Sequence, residues 1–358
     1  MNTKYDVAAI IWPSYSGDDP RTRIFWPEGY GEWQTVKAMT NRGYEGCRWP
    51  RKPLWGYVNE GNADVMQMQI AAAVRHKVNV FIYDWYWYDD RPFLENCLDD
   101  GFLKAPNNGE MRFYLMWANH DATYLWDKRN SHDLSVPVWR GAVTPEIFDR
   151  ICDRTIEKYF RRPNYYTIDG CPVYMVFDLD NLVRTFGSRE ACRAGLDRFR
   201  EKVRAAGFPG LHLQAAVFGS TDPTLLSALG FDSFTNYNWA CVLPADGEYA
   251  EVAERFRQQQ ETYARDWPVP YYPNVTVGWD SNVRYNHFVP GVLRNNTPDA
   301  FASACRTAKA YLDARLENGS LRVPLVTINS WNEWTETGYL EPDDLYGYGY
   351  LEAIRDCF

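Results

Sequence analysis

Residues 62–90 read NADVMQMQIAAAVRHKVNVFIYDWYWYDD, and this stretch holds one full unit of the pattern that decides the fold. Residues 62–76 have the spacing of an amphipathic helix, 78–84 form an apolar run of strand length, and 84–90 are densely aromatic and acidic. A strand that is apolar along its whole length is buried on both faces, as in a parallel sheet covered by helices.

The same alternation recurs outward from this unit. Apolar runs at 7–12, 112–118, 172–178, 211–217, 231–236, 271–277 and 323–329 join 78–84 as predicted strands. Further helical patterns occur at 144–160, 189–206, 248–264, 298–317 and 345–356. Thr144-Pro145 and Thr297-Pro298 place a capping hydroxyl before a proline in the first helical turn. Eight strands, each followed by a connection of helix length, predict an α/β fold, a (β/α)₈ barrel occupying 1–358 as one catalytic domain. Two connections fit less well: 13–61 is a long aromatic and Pro/Gly-rich loop, and 222–229 has room only for a short helix. A doubly wound open sheet is the competing topology, but no GxGxxG follows an early strand, which disfavours its nucleotide-binding version.

Composition narrows the function classes. The 358 residues carry 38 Lys and Arg against 47 Asp and Glu, a net charge of −9, which argues against nucleic acid or an anionic membrane surface as partner. No apolar run reaches the ~18–20 residues needed to cross a bilayer. The cysteines (Cys47, Cys97, Cys152, Cys171, Cys192, Cys241, Cys305, Cys357) form no CxxC pair, so neither a zinc site nor another metal site is expected, and they read as free thiols. The N-terminus lacks a signal-peptide pattern, so the chain reads as cytoplasmic as it stands, or as periplasmic or secreted if a leader was trimmed. The outlying figure is aromatic content: 15 Trp, 25 Tyr and 18 Phe, 16% of the chain. Core packing does not require so many rings with polar tips.

In a barrel, function gathers at the C-terminal ends of the strands. There the sequence places Trp12 and Tyr15, then Asp84 and Trp85, then Trp117, Asn119 and His120. Asp178-Leu-Asp180 ends the fourth strand, Tyr237 follows the sixth, Trp279, Asp280 and Arg284 follow the seventh, and Trp331, Asn332 and Trp334 follow the eighth. Aromatic planes beside Asp, Asn, His and Glu suit a sugar: rings stack on its C–H faces, and amides and carboxylates bind its hydroxyls. Any one such Trp could be rim packing; their recurrence at most strand ends points to an oligosaccharide or polysaccharide.

Glu333 and Glu336 stand three residues apart in Trp331-Asn-Glu-Trp-Thr-Glu336. If this segment is locally helical, the two carboxyls share a face, with Cβ atoms about 5–6 Å apart. Glycoside cleavage commonly uses one protonated and one ionised carboxyl, and flanking Trp residues help keep one protonated. The plainer alternative is two solvated acids at a helix start. Asp280 and Arg284 allow two readings, contacts to a ligand or a pair with each other. His120 and His287 are the histidines best placed for the site, while His212 lies inside a strand. No GxSxG occurs, so acyl transfer has no support.

The segment Trp331-Asn-Glu-Trp-Thr-Glu-Thr-Gly-Tyr-Leu-Glu-Pro-Asp343 resembles the signature of the WbsX-like family, related to glycoside hydrolase family 99. The likeness extends through Gly31-Glu32-Trp33, Phe81-Ile-Tyr-Asp-Trp-Tyr-Trp87, Trp117-Ala-Asn119 and Gly278-Trp-Asp-Ser-Asn-Val-Arg284. Thr337 stands where the pattern usually has Gly, and His120 where it often has Glu. The resemblance implies a retaining glycoside hydrolase without a cofactor. Glu333 would act as base on the sugar's 2-hydroxyl, which attacks the anomeric carbon to give a 1,2-anhydro sugar, and Glu336 as acid/base on the leaving oxygen. It favours α-manno or α-rhamno sugars. Two other functions remain open: a glycosyltransferase of surface-polysaccharide (O-antigen) synthesis, and a non-catalytic carbohydrate-binding barrel. Against the first, no phosphate-cradling Gly-rich loop is present, and Asp178-Leu-Asp180 reads as a strand end and turn.

Overall fold

The structure, a computed structural model, describes residues 4–39, 48 and 51–358. Cys47 and part of the 13–61 loop lie outside the described residues. Every expected strand is present: β1 (Asp6–Ile11), β2 (Val80–Tyr88), β3 (Arg112–Trp117), β4 (Cys171–Val176), β5 (His212–Val217), β6 (Ser233–Asn236), β7 (Asn274–Thr276) and β8 (Leu325–Asn329). All neighbours pair in parallel, in the order β7-β8-β1-β2-β3-β4-β5-β6. The circle closes where Phe234 of β6 bridges Tyr271, just before β7. Phe234 N donates to Pro270 O at 3.0 Å and Tyr272 N to Phe234 O at 2.9 Å. The fold is the expected (β/α)₈ barrel.

The helices are α1 (Trp33–Lys37), α2 (Ala63–Arg75), α3 (Pro145–Thr155), α4 (Leu179–Phe186), α5 (Arg189–Ala205), α6 (Pro223–Leu229), α7 (Tyr249–Asp266), α8 (Pro298–Glu317) and α9 (Gly349–Cys357). The capping signals act as read: Thr144 Oγ1 accepts from Ile147 N and Thr297 Oγ1 from Ala300 N, each at 3.3 Å. The short helix expected at 222–229 is α6. Asp178-Leu-Asp180 opens α4 instead of a simple turn, with Asp178 Oδ1 capping Asn181 N at 2.8 Å. Among the described cysteines none is bridged, and no described helix is long and apolar enough to cross a membrane.

One local reading changes. Residues 84–90 do not leave the sheet at Asp84: β2 continues to Tyr88, and Arg91–Phe93 folds back on it as an antiparallel strand. Alternation along a strand then sorts the side chains between faces. Asp84 and Tyr86 face the barrel mouth, whereas Trp85 turns outward and donates to Glu95 Oε1 at 2.9 Å. The described part of the first loop is held over the mouth by rings. Trp12 packs against Trp126 (centroids 5.1 Å apart) and Tyr86 (5.5 Å), and Phe25 against Trp126 (5.2 Å). Much of the aromatic excess therefore packs loop on loop.

Candidate functional site

The eighth strand supplies the centre of the site. After Asn329 the chain forms a two-residue ribbon, Asn332–Glu333 against Gly338–Tyr339, closed by one 3₁₀ turn, Trp334–Glu336. Residues three apart eclipse on a 3₁₀ turn, which brings Glu333 and Glu336 to one side. Ser330 Oγ accepts from Glu333 N at 2.9 Å and donates to Gly338 O, pinning the ribbon's base. The turn ends at Thr337 with φ +57° and ψ 16°, a left-handed conformation that favours glycine. This accounts for the Gly usual at that position in the resembling pattern.

Both carboxyls line a cavity of about 210 Å³ at the barrel mouth. Its walls include Trp12, Tyr86, Trp126, Phe177 and Trp279, with Asp84, His120, Tyr237, Asn238 and Arg284 as the remaining polar groups. Arg284 is almost wholly buried and bridges three carboxyls. Its Nη1 donates to Glu336 Oε1, its Nη2 lies 3.3 Å from Glu333 Oε1, and its Nε lies 3.4 Å from Glu32 Oε1. Glu32 also accepts from Trp12 Nε1 and, at 3.3 Å, from Ser14 Oγ. Tyr237 completes the far side: its hydroxyl is 2.6 Å from Glu333 Oε2 and 3.2 Å from Asp84 Oδ2.

These surroundings set the protonation states. Burial, then the charge of Glu336, pushes Glu333 well above the usual carboxyl range, against the pull of Arg284 and Tyr237. Burial raises Glu336 as well, but the adjacent guanidinium opposes it through both charge and hydrogen bond. Burial and mutual repulsion favour a single proton on the pair, and Arg284, which bonds Glu336, biases it toward Glu333. Burial also raises Asp84. Burial works against the charge on Arg284, but Glu336, Glu32 and Glu333 outweigh it and keep the guanidinium ionised. His120 is pushed down by burial; its Nδ1–H donates to Asp121 O at 3.0 Å, leaving Nε2 as an acceptor. Among the described residues, Asp84 Oδ1, Asn238 Nδ2 and Glu336 Oε2 are buried at this cavity without a hydrogen-bond partner. Buried polar atoms seldom stay unpaired, so all three are open to a ligand.

The structure brings together eight of the residues singled out from the sequence: Trp12, Asp84, His120, Tyr237, Trp279, Arg284, Glu333 and Glu336 all line the cavity. The others point elsewhere. Trp117 alternates to the outer face of β3 and packs on Phe148 at 5.6 Å. Asn119 staples two strand ends, its Nδ2 donating to Asp178 O and its Oδ1 accepting from Asp178 N, both at 2.7 Å. Tyr15 accepts at its hydroxyl from Trp334 N at 3.1 Å. Trp331 and Trp334 donate inward, to Gln69 and Glu341, and Asn332 is tied to the Trp12 backbone and Glu60. Asp280 does not pair with Arg284; it caps the 3₁₀ turn Ser281–Arg284, accepting from Asn282 N at 2.9 Å. His287 is exposed, and His212 is bonded to Ser233 Oγ within the barrel. The sequence reading passed over Glu32, Tyr86, Trp126, Phe177, Asn238 and Cys241. Glu32, inside the quoted Gly31-Glu32-Trp33, Tyr86, two residues beyond Asp84, and Asn238, next to Tyr237 at the sixth strand end, carried a signal.

Three comparisons place the chain among known proteins. The family model described as "Glycosyltransferase WbsX" matches residues 9–354. The WxcX protein of Xanthomonas campestris pv. campestris is 27% identical over 362 residues, covering 94% of this chain and 47% of WxcX, in each of two strains. The chain therefore spans about half the length of the curated relatives it matches. Among solved structures, a glycoside hydrolase-like protein aligns over 100% of this chain and 94% of its own with a TM-score of 0.63 at 15% identity. The GH99 endo-alpha-mannosidase from Bacteroides thetaiotaomicron aligns over 98% and 95% with a TM-score of 0.61 at 12% identity. At these identities the structural likeness shows a shared fold. The family match spans nearly the whole chain, from β1 to α9, and on that ground the chain belongs to the Glycosyltransferase WbsX family.

Proposed function

We propose that this protein is a retaining glycoside hydrolase acting on an α-glycosidic bond, with α-manno or α-rhamno sugars favoured. The observation that carries the reading is the meeting of Glu333 and Glu336, both bound to Arg284, in a cavity walled by aromatic rings. Glu333 takes the proton of the sugar's 2-hydroxyl as O2 attacks the anomeric carbon, and Glu336 gives its proton to the leaving oxygen. A 1,2-anhydro sugar results. Glu336 then removes a proton from water as that water opens the three-membered ring, and Glu333 returns its proton to O2. The unliganded site holds the shared proton on Glu333, whereas this chemistry starts with it on Glu336. A sugar hydroxyl donating to Glu333 favours that transfer. Asp84 Oδ1, Asn238 Nδ2 and His120 Nε2 supply the remaining hydroxyl contacts.

The family's name supports a second reading, sugar transfer in polysaccharide synthesis. A nucleotide-sugar donor brings a diphosphate, and phosphate sites are rich in cations or backbone donors. Among the described residues the only cationic side chain lining this cavity is Arg284, already shared by three carboxyls. That balance favours the hydrolase. The test is incubation with a panel of α-mannosyl and α-rhamnosyl oligosaccharides and acidic plant and bacterial glycans, with products followed by NMR. Release of a sugar with retained configuration is expected; consumption of a nucleotide sugar without glycan hydrolysis would overturn the proposal.

A further inference from the structure

Beneath Glu333 lies a second pair of buried carboxyls that the proposed reaction does not use. Glu60, where the first loop approaches α2, is 0% exposed, and Glu341, just past the ribbon, is 2% exposed. Neither lines the cavity. One amide of α2 serves both: Gln69 Nε2 donates to Glu60 Oε1 at 3.1 Å and to Glu341 Oε1 at 2.8 Å. Asn332 Nδ2 donates to Glu60 Oε2 at 2.9 Å, and Trp334 Nε1 to Glu341 Oε2 at 2.6 Å. The residue before Glu333 thus hangs on one carboxyl and the residue after it on the other.

Among the described residues, the groups acting on these two carboxyls are Gln69, Asn332, Trp334, Cys97 and each other, none of them a cation. Cys97 Sγ lies 3.8 Å from Glu60 Oε2, and the buried phenols of Tyr15 and Tyr83 also feel Glu60. Two carboxylates in a dry site without a cation repel strongly, and such a pair keeps a proton. Burial lifts Glu60 to about 7 and Glu341 well above the usual range.

We infer that Glu60 and Glu341 form a proton-sharing pair that positions Glu333, and that losing the shared proton loosens this segment and lowers activity on the alkaline side. The positioning role rests on the reading of Glu333 as a reacting group; the proton sharing does not. The pair binds a proton more tightly when folded than when unfolded. Its stabilising effect is therefore full below the ordinary carboxyl value of 4.5 and lost as pH rises toward about 7.

Glu60→Gln and Glu341→Gln each replace the shared proton with a permanent amide donor. Melting temperature is measured from about pH 5 to about pH 8 for the unmodified protein and each variant that folds, with turnover across the same range. The unmodified protein should lose more stability across this range than a Gln variant, and the variant's ratio of alkaline to acid activity should rise about fivefold or more. Parallel melting profiles in all three proteins would overturn the pair, whatever the turnover. A flattened profile without glycoside turnover upholds the shared proton and counts against the hydrolase reading alone. A flattened profile with an unchanged activity ratio would overturn the positioning role.

Discussion

The hydroxyl of Tyr237 sits between two acids, 2.6 Å from Glu333 Oε2 and 3.2 Å from Asp84 Oδ2. It ties the end of β6 to the ends of β8 and β2 across the cavity, and its hydrogen bond lowers the pKa of Glu333. Tyr237→Phe should therefore raise that pKa further and shift the acid limb of the pH–activity profile upward. A loss of about 10–100-fold in kcat with little change in KM is expected. Steady-state kinetics across pH checks this, and an unmoved acid limb would count against the role.

Glu333→Gln and Glu336→Gln should each lower turnover by about 10³-fold or more while leaving ligand binding within a few-fold. Isothermal titration with the oligosaccharide that the unmodified protein cleaves measures the second half of that statement. Full activity in either variant would remove that residue from the reaction.

Arg284→Ala takes one charge from the centre of three carboxyls. Breaking a buried ion network from one side costs about 3–5 kcal/mol. The loss should be largest near neutral pH and smaller in acid, where the carboxyls accept protons. Chemical denaturation at two pH values reads both terms, and a cost that does not depend on pH would argue against uncompensated charge as the cause.

Thr337 occupies a left-handed position that costs a β-branched residue about 1–2 kcal/mol. Thr337→Gly removes that strain but loosens the unfolded chain, for a net stabilisation of about 0.5–1 kcal/mol. A lowered melting temperature would show that the buried Thr337 side chain contributes more packing than its backbone costs.

Burial holds His120 below its ordinary value of 6.5. The unfolded chain then takes up a proton that the folded site resists, so stability is full above that value and falls as pH drops below it. Melting curves through mild acid should steepen downward, and His120→Gln should flatten them. Identical slopes in the two proteins would mean that His120 charges freely in the folded state.

The strands and long helices were legible because each pattern is local. An apolar run such as 78–84 and caps such as Thr144-Pro145 depend on neighbours within a few residues. Proximity to a strand end was equally legible, and it located Asp84, Tyr237, Glu333 and Glu336. It could not tell which ring faces the cavity. Trp85 and Trp117 sit at strand ends yet turn outward, because successive side chains alternate and the last paired residue of each strand fixes the phase. Trp85 and Trp117 face each other at the end of the parallel ladder, and the extension of β2 beyond them to Tyr88 depends on the hairpin partner Arg91–Phe93.

Sequence by itself determined the barrel, the carboxyl pair on one turn and the supply of aromatic residues at its mouth, since all three follow from spacing along the chain. Tertiary structure alone decided what those carboxyls experience. Glu32 reaches Arg284 across 252 residues, and Gln69 reaches Glu341 across 272. Those contacts exist only once β8 lies beside β1 and the first loop folds over both. Burial and hydrogen bonding then fix where each proton rests, and neither has a signature in the linear order of residues.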